Sequence, residues 1–422
     1  SFWGMTATQF LGAFNDNLYK QLVLLICLDY VALQNLESDP YQMYAQGLFA
    51  LPFVLCSGFA GWLSDRYSKR TIVVLSKVAE IGVMAAGLAV FATLTFGTDA
   101  YLVGLMGVLF LMGMQSAFFG PAKYGILPEM LRDRDLPLAN GVVQMTTFLA
   151  IIFGTALCGV FKQELGGAES RLWQISAACV GVAVIGTATS LLVRRTRVAE
   201  PGLAFQLESL AIDQPTLRML RDDRTLLGAL LATVLFWFLG GICLPTVNAF
   251  GKEQLGLGDR STSLMTACIG FGIAVGCVVA GLASRHRIRF GLVRLGAWGM
   301  AVMFGLLALL PSAGLSSDQS SIAGGALLTL LGMSAGVFAV PLQTFLQTRP
   351  PSKQKGRMIA TMNVCTWIGI LLSAGFYGFC SKLFTTGGIS NTFYVTAALI
   401  LPVALLYRPA DQLLTSAHTA EE

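Results

Sequence analysis

The sequence predicts an all-α integral membrane protein in which twelve transmembrane helices form two six-helix bundles related by pseudo-twofold symmetry. Three observations lead to this fold. Of the 422 residues, 55% are hydrophobic and only 12% are charged, whereas a soluble domain carries about 25% charged residues. The apolar residues form long runs separated by basic loops, and two motifs recur 220 residues apart in the two halves of the chain. The composition excludes a soluble enzyme, because too little polar surface remains to cover one.

Twelve apolar runs account for the predicted helices. A spanning helix needs about 20 mostly apolar residues and a spanning β-strand only about 10 alternating ones, so runs of about 18 to 26 residues indicate helices. The runs lie at 5–28, 42–63, 71–96, 100–119, 138–161, 173–193, 225–247, 262–283, 291–310, 322–346, 358–381 and 389–407.

The basic residues alternate between loops as the positive-inside rule requires. Of the 28 lysines and arginines, 21 lie in one set of alternate loops and the C-terminal tail, five lie in the other set, and two lie within runs. This asymmetry supports twelve spans and predicts a multi-pass protein with both termini in the cytoplasm. The net charge of +5 then follows from topology, and no nucleic-acid partner is predicted.

Recurring motifs predict the domain organisation. Related motifs begin at Gly61 and again at Gly281, 220 residues later, and Pro121 recurs at the same spacing as Pro341. Such recurrence indicates duplication of a six-helix unit. The predicted domains are an N-terminal bundle, a cytoplasmic linker, a C-terminal bundle and a cytoplasmic tail, at 1–193, 194–224, 225–408 and 409–422.

The cysteines and histidines give no sign of a metal or catalytic centre. The nine cysteines lie mostly in apolar runs without Cys-x-x-Cys spacing, so we expect small buried hydrophobic side chains. The two histidines, His286 and His418, lie in a basic loop and in the tail. We find no Ser/His/Asp group and no His-x4-Asp acyltransferase motif, so the sequence predicts no cofactor, no metal and no enzymatic activity.

The loop GlyTrpLeuSerAspArgTyrSerLysArg (Gly61 to Arg70) resembles the signature loop of the major facilitator superfamily between the second and third spans. The resemblance implies a conformational latch formed by Gly61, Asp65, Arg66 and Arg70. Gly61 would allow two helices to approach closely, and Asp65 would lie at the positive N-terminus of a helix from the other half. This latch would break when the cytoplasmic side opens.

An alternative interpretation of this loop is that Arg66, Lys69 and Arg70 only anchor the topology. The loop also departs from the superfamily pattern, because Ser68 replaces a usual Gly. In the second copy, Arg285 stands where Asp65 would fall. We therefore do not expect a symmetric latch in the other half.

Two further segments narrow the resemblance. GlnPheLeuGlyAlaPheAsnAspAsnLeuTyrLys (Gln9 to Lys20) and PheGlyProAlaLysTyrGlyIleLeuPro (Phe119 to Pro128) resemble the bacterial lysophospholipid transporters, including the modules fused to lysophospholipid acyltransferases. ProLeuGlnThrPheLeuGln (Pro341 to Gln347) gives weaker support. The resemblance covers nearly the whole chain.

The resemblance implies a transporter, or flippase, of the bacterial inner membrane that works by alternating access. It would move lysophosphatidylethanolamine or a similar single-chain lipid from the outer to the inner leaflet for phospholipid remodelling. The implied partners are the lysophospholipid substrate, membrane lipids and a fused or separate lysophospholipid acyltransferase/acyl-carrier synthetase. The chain is expected to act as a monomer.

The polar residues of the first run suit such a substrate. Asp16 lies about eleven residues from the helix start, or roughly 16 Å, near the membrane midplane, where a carboxylate is costly unless it is paired or faces water. Lys20 lies one turn later on the same face. Asn15 and Asn17 add amide groups, and a zwitterionic headgroup suits an adjacent acid and base. The alternative is a closed Asp16–Lys20 ion pair that only stabilises the helix.

The end of the fourth run offers a second candidate contact. Lys123, beside Tyr124, is predicted to contact the substrate phosphate, because lysine is a point donor for such groups. The alternative is a topology lysine whose side chain extends to the membrane surface. Gln343 occupies the equivalent position in the second half.

Three further residues are predicted to line the pathway. Gln144 and Asn363 are repeat equivalents and would line the cavity from both sides, although interhelical hydrogen bonding alone is the alternative. Trp237 would pack along the acyl chain, or simply belong to the core. Lys77 and Glu80 are expected to form a local ion pair near the cytoplasmic surface.

Two other functions remain open on the sequence. Transport of a small polar solute or drug would require a closed aqueous cavity, whereas a lipid carrier needs a cavity that opens sideways to the bilayer. A non-transporting receptor or membrane anchor for an acyltransferase would show no flux. The fourth run lacks Arg and the fifth lacks a Gly-Pro pair, which disfavours a drug/proton antiporter.

Overall fold

Twelve long helices follow the twelve apolar runs in order. The computed structural model describes residues 1–34, 41–165, 171–196, 198, 202–203, 214–257, 259–284, 287–351, 354–384 and 388–413. Within them, each predicted run coincides with one helix to within a few residues at its ends. The helices are α1 (Phe2–Leu33), α2 (Tyr41–Arg66), α3 (Lys69–Thr93), α4 (Asp99–Gly125), α5 (Leu136–Leu165), α6 (Trp173–Leu191), α7 (Arg224–Ala249), α8 (Asp259–Ala283), α9 (Phe290–Leu309), α10 (Ser317–Thr348), α11 (Lys355–Leu383) and α12 (Asn391–Leu406).

Ten of these helices are long and apolar enough to cross a membrane, judged by length and composition over the described residues. The last helix, α12, is apolar but has only 16 residues. The first helix, α1, is 32 residues long but carries the polar run around Asp16, which lowers its hydropathy. The predicted all-α, twelve-helix architecture is confirmed.

Short elements join several of the long helices. Two of them are the two-residue strands β1 (Arg287–Ile288) and β2 (Gln412–Leu413), which pair antiparallel. The backbone N–H of Phe290 also donates to the Asp411 carboxylate at 2.9 Å. The predicted tail at 409–422 therefore includes a strand, Gln412–Leu413, that is held beside the start of α9. Residues 414–422 lie outside the described part.

Residue contacts divide the chain into two compact units. The first unit consists of Ser1–Met130, Ala150–Leu217 and Pro351–Val364. The second consists of Leu131–Leu149, Arg218–Pro350 and Cys365–Glu422. Each unit therefore includes a segment from the other half of the sequence: the start of α11 lies in the first unit and the start of α5 in the second. The bundle boundaries at 193 and 225 stay a prediction, and 14 of the 31 linker residues at 194–224 lie outside the described residues.

Glycines bring α8 and α10 together in the second unit. A Cβ added to Gly272 would lie 2.1 Å from the carbonyl oxygen of Thr329, and one added to Gly336 would lie 2.6 Å from the backbone nitrogen of Cys277. Side chains at these positions would clash with backbone atoms, so the glycine-rich runs are close-packing helix faces.

Asp223 caps the N-terminus of α7 and forms an ion pair. The Asp223 carboxylate accepts a hydrogen bond from the Leu226 N–H at 3.0 Å and pairs with Arg349 Nε at 2.6 Å. Burial acts to raise the pKa of Asp223, but the Arg349 charge and the helix-capping N–H groups outweigh it and hold the pKa below its ordinary value. The carboxylate therefore stays ionised at neutral pH. Elsewhere in the fold, all nine cysteines are free and six are buried, as expected.

Candidate functional site

A cluster of charged and amide side chains lies in the first unit, where side chains of α1, α3 and α4 meet. Its charged groups lie close enough for electrostatic interaction. Asp16 interacts with Lys20, Lys77 and Glu80, and Lys123 interacts with Lys77 and Asp16. The cluster has one more basic than acidic residue. This polar cluster consists of Asn15, Asp16, Lys20, Lys77, Glu80, Gln115, Ser116 and Lys123.

Glu80 of α3 joins three helices within the cluster. Its carboxylate pairs with Lys77 one turn earlier and accepts hydrogen bonds from the Asn15 amide at 2.9 Å and the Gln115 amide at 3.2 Å. The predicted Lys77–Glu80 pair is confirmed. Both side chains are only 1% exposed, and Glu80 is held by donors from α1 and α4.

The two oxygens of Asp16 differ in their surroundings. Oδ2 accepts a hydrogen bond from Ser116 Oγ at 2.6 Å, and the same hydroxyl lies 2.9 Å from Gln115 Oε1. A hydroxyl has one proton, so Ser116 donates to only one of these oxygens at a time. Asp16 Oδ1 is buried and has no hydrogen-bond partner among the described residues, and the same is true of Asn15 Oδ1.

No ion pair joins Asp16 to Lys20 within the part of the chain that the structure describes, although the spacing permits one. The Lys20 ammonium instead lies 5.2 Å from the centre of the Phe49 ring, where the π-electron face attracts the cation. The closed-pair alternative is therefore wrong. Acid and base lie near each other on α1 without neutralising each other directly.

The other predicted contacts of the first unit lie around this cluster. Lys123 is buried, and its ammonium lies 4.8 Å from the centre of the Tyr124 ring. The Asn17 amide donates to the Ala13 carbonyl of its own helix at 2.7 Å. Asn363 of α11 packs against α4, since a Cβ on Gly120 would lie 2.7 Å from its amide nitrogen.

Three predicted residues belong to the second unit. Trp237 stacks on Phe148, with ring centres 6.3 Å apart. Gln144 and Gln343 are each 7% exposed, and Gln343 Nε2 has no hydrogen-bond partner among the described residues. The residues named from the sequence are thus divided between the two units, and the polar cluster gathers those of α1 and α4.

Asp65, at the end of α2, lies against the N-terminus of α11. Its Oδ1 accepts from the Gly356 N–H at 2.9 Å, and its Oδ2 accepts from the Arg357 N–H at 3.1 Å and from Arg357 Nε at 3.3 Å. The positive end of the helix dipole favours this carboxylate. Gly61 makes room for the contact, because a Cβ there would lie 2.5 Å from Ala360 Cβ.

The two arginines of the same loop hold the chain that follows α6. Arg66 donates to the Leu203 carbonyl, and its guanidinium lies 5.3 Å from the centre of the Trp62 ring. Arg70 donates from Nε to the Val193 carbonyl at 2.7 Å. The loop therefore makes two separate sets of contacts. Asp65 binds the N-terminus of α11, whereas Arg66 and Arg70 bind backbone carbonyls that follow α6.

The sequence analysis did not assign four members of the polar cluster to the site: Lys77, Glu80, Gln115 and Ser116. It also did not name Gly12, which borders the cluster, because a Cβ there would lie 2.2 Å from the Lys77 ammonium. Glu80 gave a signal that could have been used, since a buried acid in a spanning helix is as costly as Asp16. Gln115 and Ser116 gave none, because uncharged polar residues are common in such helices.

A family profile and individual relatives both match most of this chain. The profile of the Major Facilitator Superfamily matches residues 7–374. The Lysophospholipid transporter LplT of Serratia proteamaculans is 28% identical over 384 residues, which is 89% of this chain and 87% of that protein. The protein of the same name from Citrobacter koseri is 29% identical over 380 residues, or 88% and 86% of the two chains.

Solved structures share the fold at low sequence identity. FucP, a Major Facilitator Superfamily transporter in the outward conformation, matches with a TM-score of 0.74 and 14% identity over 97% of this chain and 99% of that one. A bacterial homologue of the iron transporter ferroportin, in an outward-facing state, matches with a TM-score of 0.71 and 14% identity over 96% and 98%. At this identity the likeness bears on the fold alone.

Proposed function

We infer the function of this chain from the family to which it belongs, the Major Facilitator Superfamily of membrane transporters. We propose that it carries lysophospholipids. The relatives named Lysophospholipid transporter LplT support this substrate class, since they align over most of both chains. The observation that carries the proposal is the buried Asp16 Oδ1, an acceptor with no donor among the described residues.

The polar cluster can bind both charges of a zwitterionic headgroup. An ammonium carries three donors and fits Asp16 Oδ1, with Asn15 Oδ1 as a second acceptor of the cluster. A phosphate would be bound by Lys20, which is not ion-paired to Asp16, and by Lys123. We propose lysophosphatidylethanolamine-type lipids as substrates, because both groups occur in one headgroup.

The acyl chain sets a second requirement on the pathway. Each CH₂ that leaves an apolar environment for water costs about 0.8 kcal/mol. The headgroup would therefore travel through a polar path while the chain stays in contact with lipid through a lateral opening. We assign Gln144, Gln343 and Asn363 to the polar path and Trp237 to the acyl chain.

The proposed direction is from the outer to the inner leaflet of a bacterial inner membrane, with both chain termini in the cytoplasm. Alternating access would break the contact of Asp65 with the N-terminus of α11 in each cycle, so this contact would act as the latch. The product is a lysolipid in the inner leaflet, where an acyltransferase would consume it. The carrier itself would act as a monomer without a cofactor.

Reconstitution tests the proposed function. The purified chain in liposomes should accelerate the transfer of labelled lysophosphatidylethanolamine between leaflets, relative to protein-free liposomes. Unlabelled lysolipid should compete, whereas sugars and amino acids should not. Competition by a soluble solute would instead indicate a carrier of small polar compounds, and absence of any flux would indicate a receptor or anchor.

A further inference from the structure

The Lys77–Glu80 pair takes no part in the headgroup contacts proposed above, yet it lies beside them. Both side chains are 1% exposed. The Glu80 carboxylate is fixed from three sides, by the Lys77 ammonium and by the amides of Asn15 and Gln115. A carboxylate only accepts hydrogen bonds, so both amides must turn their NH₂ groups toward Glu80. Its position is therefore determined by three helices.

The Lys77 ammonium reaches as far as α1. A Cβ added to Gly12 would lie 2.2 Å from the ammonium nitrogen. The same nitrogen lies 5.0 Å from the centre of the Phe119 ring. Its charge also acts on Asp16. A lysine side chain is long and flexible and its ammonium has three donors. The other acidic residue of the polar cluster is Asp16, whose buried Oδ1 has no hydrogen-bond partner among the described residues.

The Lys77 ammonium is the same chemical group as the headgroup ammonium assigned to Asp16. We propose that Glu80 is a positioning residue that retains the Lys77 ammonium and so keeps Asp16 Oδ1 free for the substrate. This inference rests on the proposed function, because it takes Asp16 as the acceptor of the headgroup. Glu80 need not touch the substrate for this role.

An unretained Lys77 would act as a competitive inhibitor built into the chain. In the variant Glu80→Gln, the carboxylate is gone and Lys77 can turn to Asp16. The substrate then binds only the fraction of molecules in which Asp16 is unoccupied, which raises the apparent KM by the inverse of that fraction. Removing the Lys77 charge as well should abolish the competition.

The experiment measures the KM and maximal rate of lysophosphatidylethanolamine transfer in liposomes for Glu80→Gln, for the double variant Lys77→Met with Glu80→Gln, and for Glu80→Asp. Glu80→Gln should raise KM about tenfold, with little change in maximal rate, if Lys77 occupies Asp16 in about nine-tenths of the molecules. The double variant should return KM to within about threefold of the unmodified chain, because the competitor is gone.

Asp29→Asn is the matched control. Like Glu80→Gln, it removes a carboxylate from an ion pair, here the pair of Asp29 with Lys162 at 2.6 Å. This pair lies near the C-terminal end of α1 and is partly exposed. Its KM should stay within about twofold, as for other exposed pairs. Thermal unfolding of each purified variant reports whether it is folded.

The double variant decides the inference. A folded Glu80→Gln protein whose KM equals that of the unmodified chain overturns the inference. If Glu80→Gln raises KM or does not fold, a folded double variant with KM near that of the unmodified chain supports it. A folded double variant with KM still raised tenfold overturns it, because Glu80 would then be needed for itself. If the double variant does not fold, Glu80→Asp, which keeps the charge, must keep KM within about threefold, and a larger rise overturns the inference. Loss of transfer in the unmodified chain would instead refute the proposed function.

Discussion

Asp16 has a hydrogen-bonding pattern that favours a ligand with donors. One oxygen accepts from Ser116 at 2.6 Å, while the other is buried without a partner in the described part of the chain. Leaving a buried acceptor unsatisfied costs about 1–3 kcal/mol, and more for a charged group. A bound ammonium would remove that cost, which couples the stability of the site to the presence of substrate.

Ser116 should affect binding through Asp16. Ser116→Ala removes the donor to Oδ2 and should raise KM for lysophosphatidylethanolamine about tenfold, because a hydrogen bond to a charged group contributes about 1.5–3 kcal/mol. Ser57→Ala is the control, since the Ser57 hydroxyl donates to the Phe53 carbonyl within its own helix. Equal KM values for the two variants would contradict the role of Ser116.

The sequence indicated part of this site and not the rest. Asp16 could be named because an acid deep in a spanning helix is costly wherever its partners are. Its partner Ser116 lies 100 residues away, and no spacing rule connects two such helices. The i,i+4 rule even suggested the wrong partner, because Lys20 lies over the Phe49 ring and Asp16 is bound from α4.

At the scale of the elements, helices were predictable because each needs a long apolar run. The strands β1 and β2 were not, since two residues carry no periodicity and their pairing joins 287–288 to 412–413. The Lys77–Glu80 pair was predictable from its i,i+3 spacing on one helix. Its surroundings were not, because the Asn15 and Gln115 amides that bind Glu80 come from α1 and α4.

The contact between α2 and α11 should depend on the charge of Asp65. Asp65→Asn weakens the attraction to the helix N-terminus by about 1 kcal/mol, which should raise the opening of this contact about fivefold. The measurement is the rate of maleimide labelling of an Ala360→Cys reporter, since Ala360 is 2% exposed. Asp135→Asn, an exposed site, is the control, and an unchanged labelling rate would exclude the latch role.

The packing of α8 on α10 should tolerate no added side chain. Gly332→Ala places a Cβ 2.2 Å from the Ile269 carbonyl oxygen, and such overpacking costs about 1–3 kcal/mol. Thermal unfolding in detergent should therefore show a lower Tm. Gly305→Ala in α9 meets nothing within 4 Å and should keep or raise the Tm. This packing account would be refuted if Gly305→Ala lowered the Tm and Gly332→Ala did not.

At the scale of the whole molecule, an amphipathic cargo requires a pathway that is polar for one end only. A lysolipid with a spin label on its acyl chain should remain accessible to oxygen, which partitions into lipid, while bound to the protein. Its accessibility to a water-soluble relaxation agent should stay low, because exposing each CH₂ costs about 0.8 kcal/mol. A spectrum that shows full water exposure of the bound chain would exclude the lateral opening.

The most direct test of the account is lysophosphatidylethanolamine transfer by Asp16→Asn in liposomes. Asparagine keeps the size of the side chain but removes the charge that would receive the headgroup ammonium. Transfer should fall about thirtyfold or more, since removing one partner of a buried charge pair costs about 2–5 kcal/mol, while thermal unfolding stays unchanged and Asp29→Asn transfers normally. Normal transfer by Asp16→Asn would contradict the account.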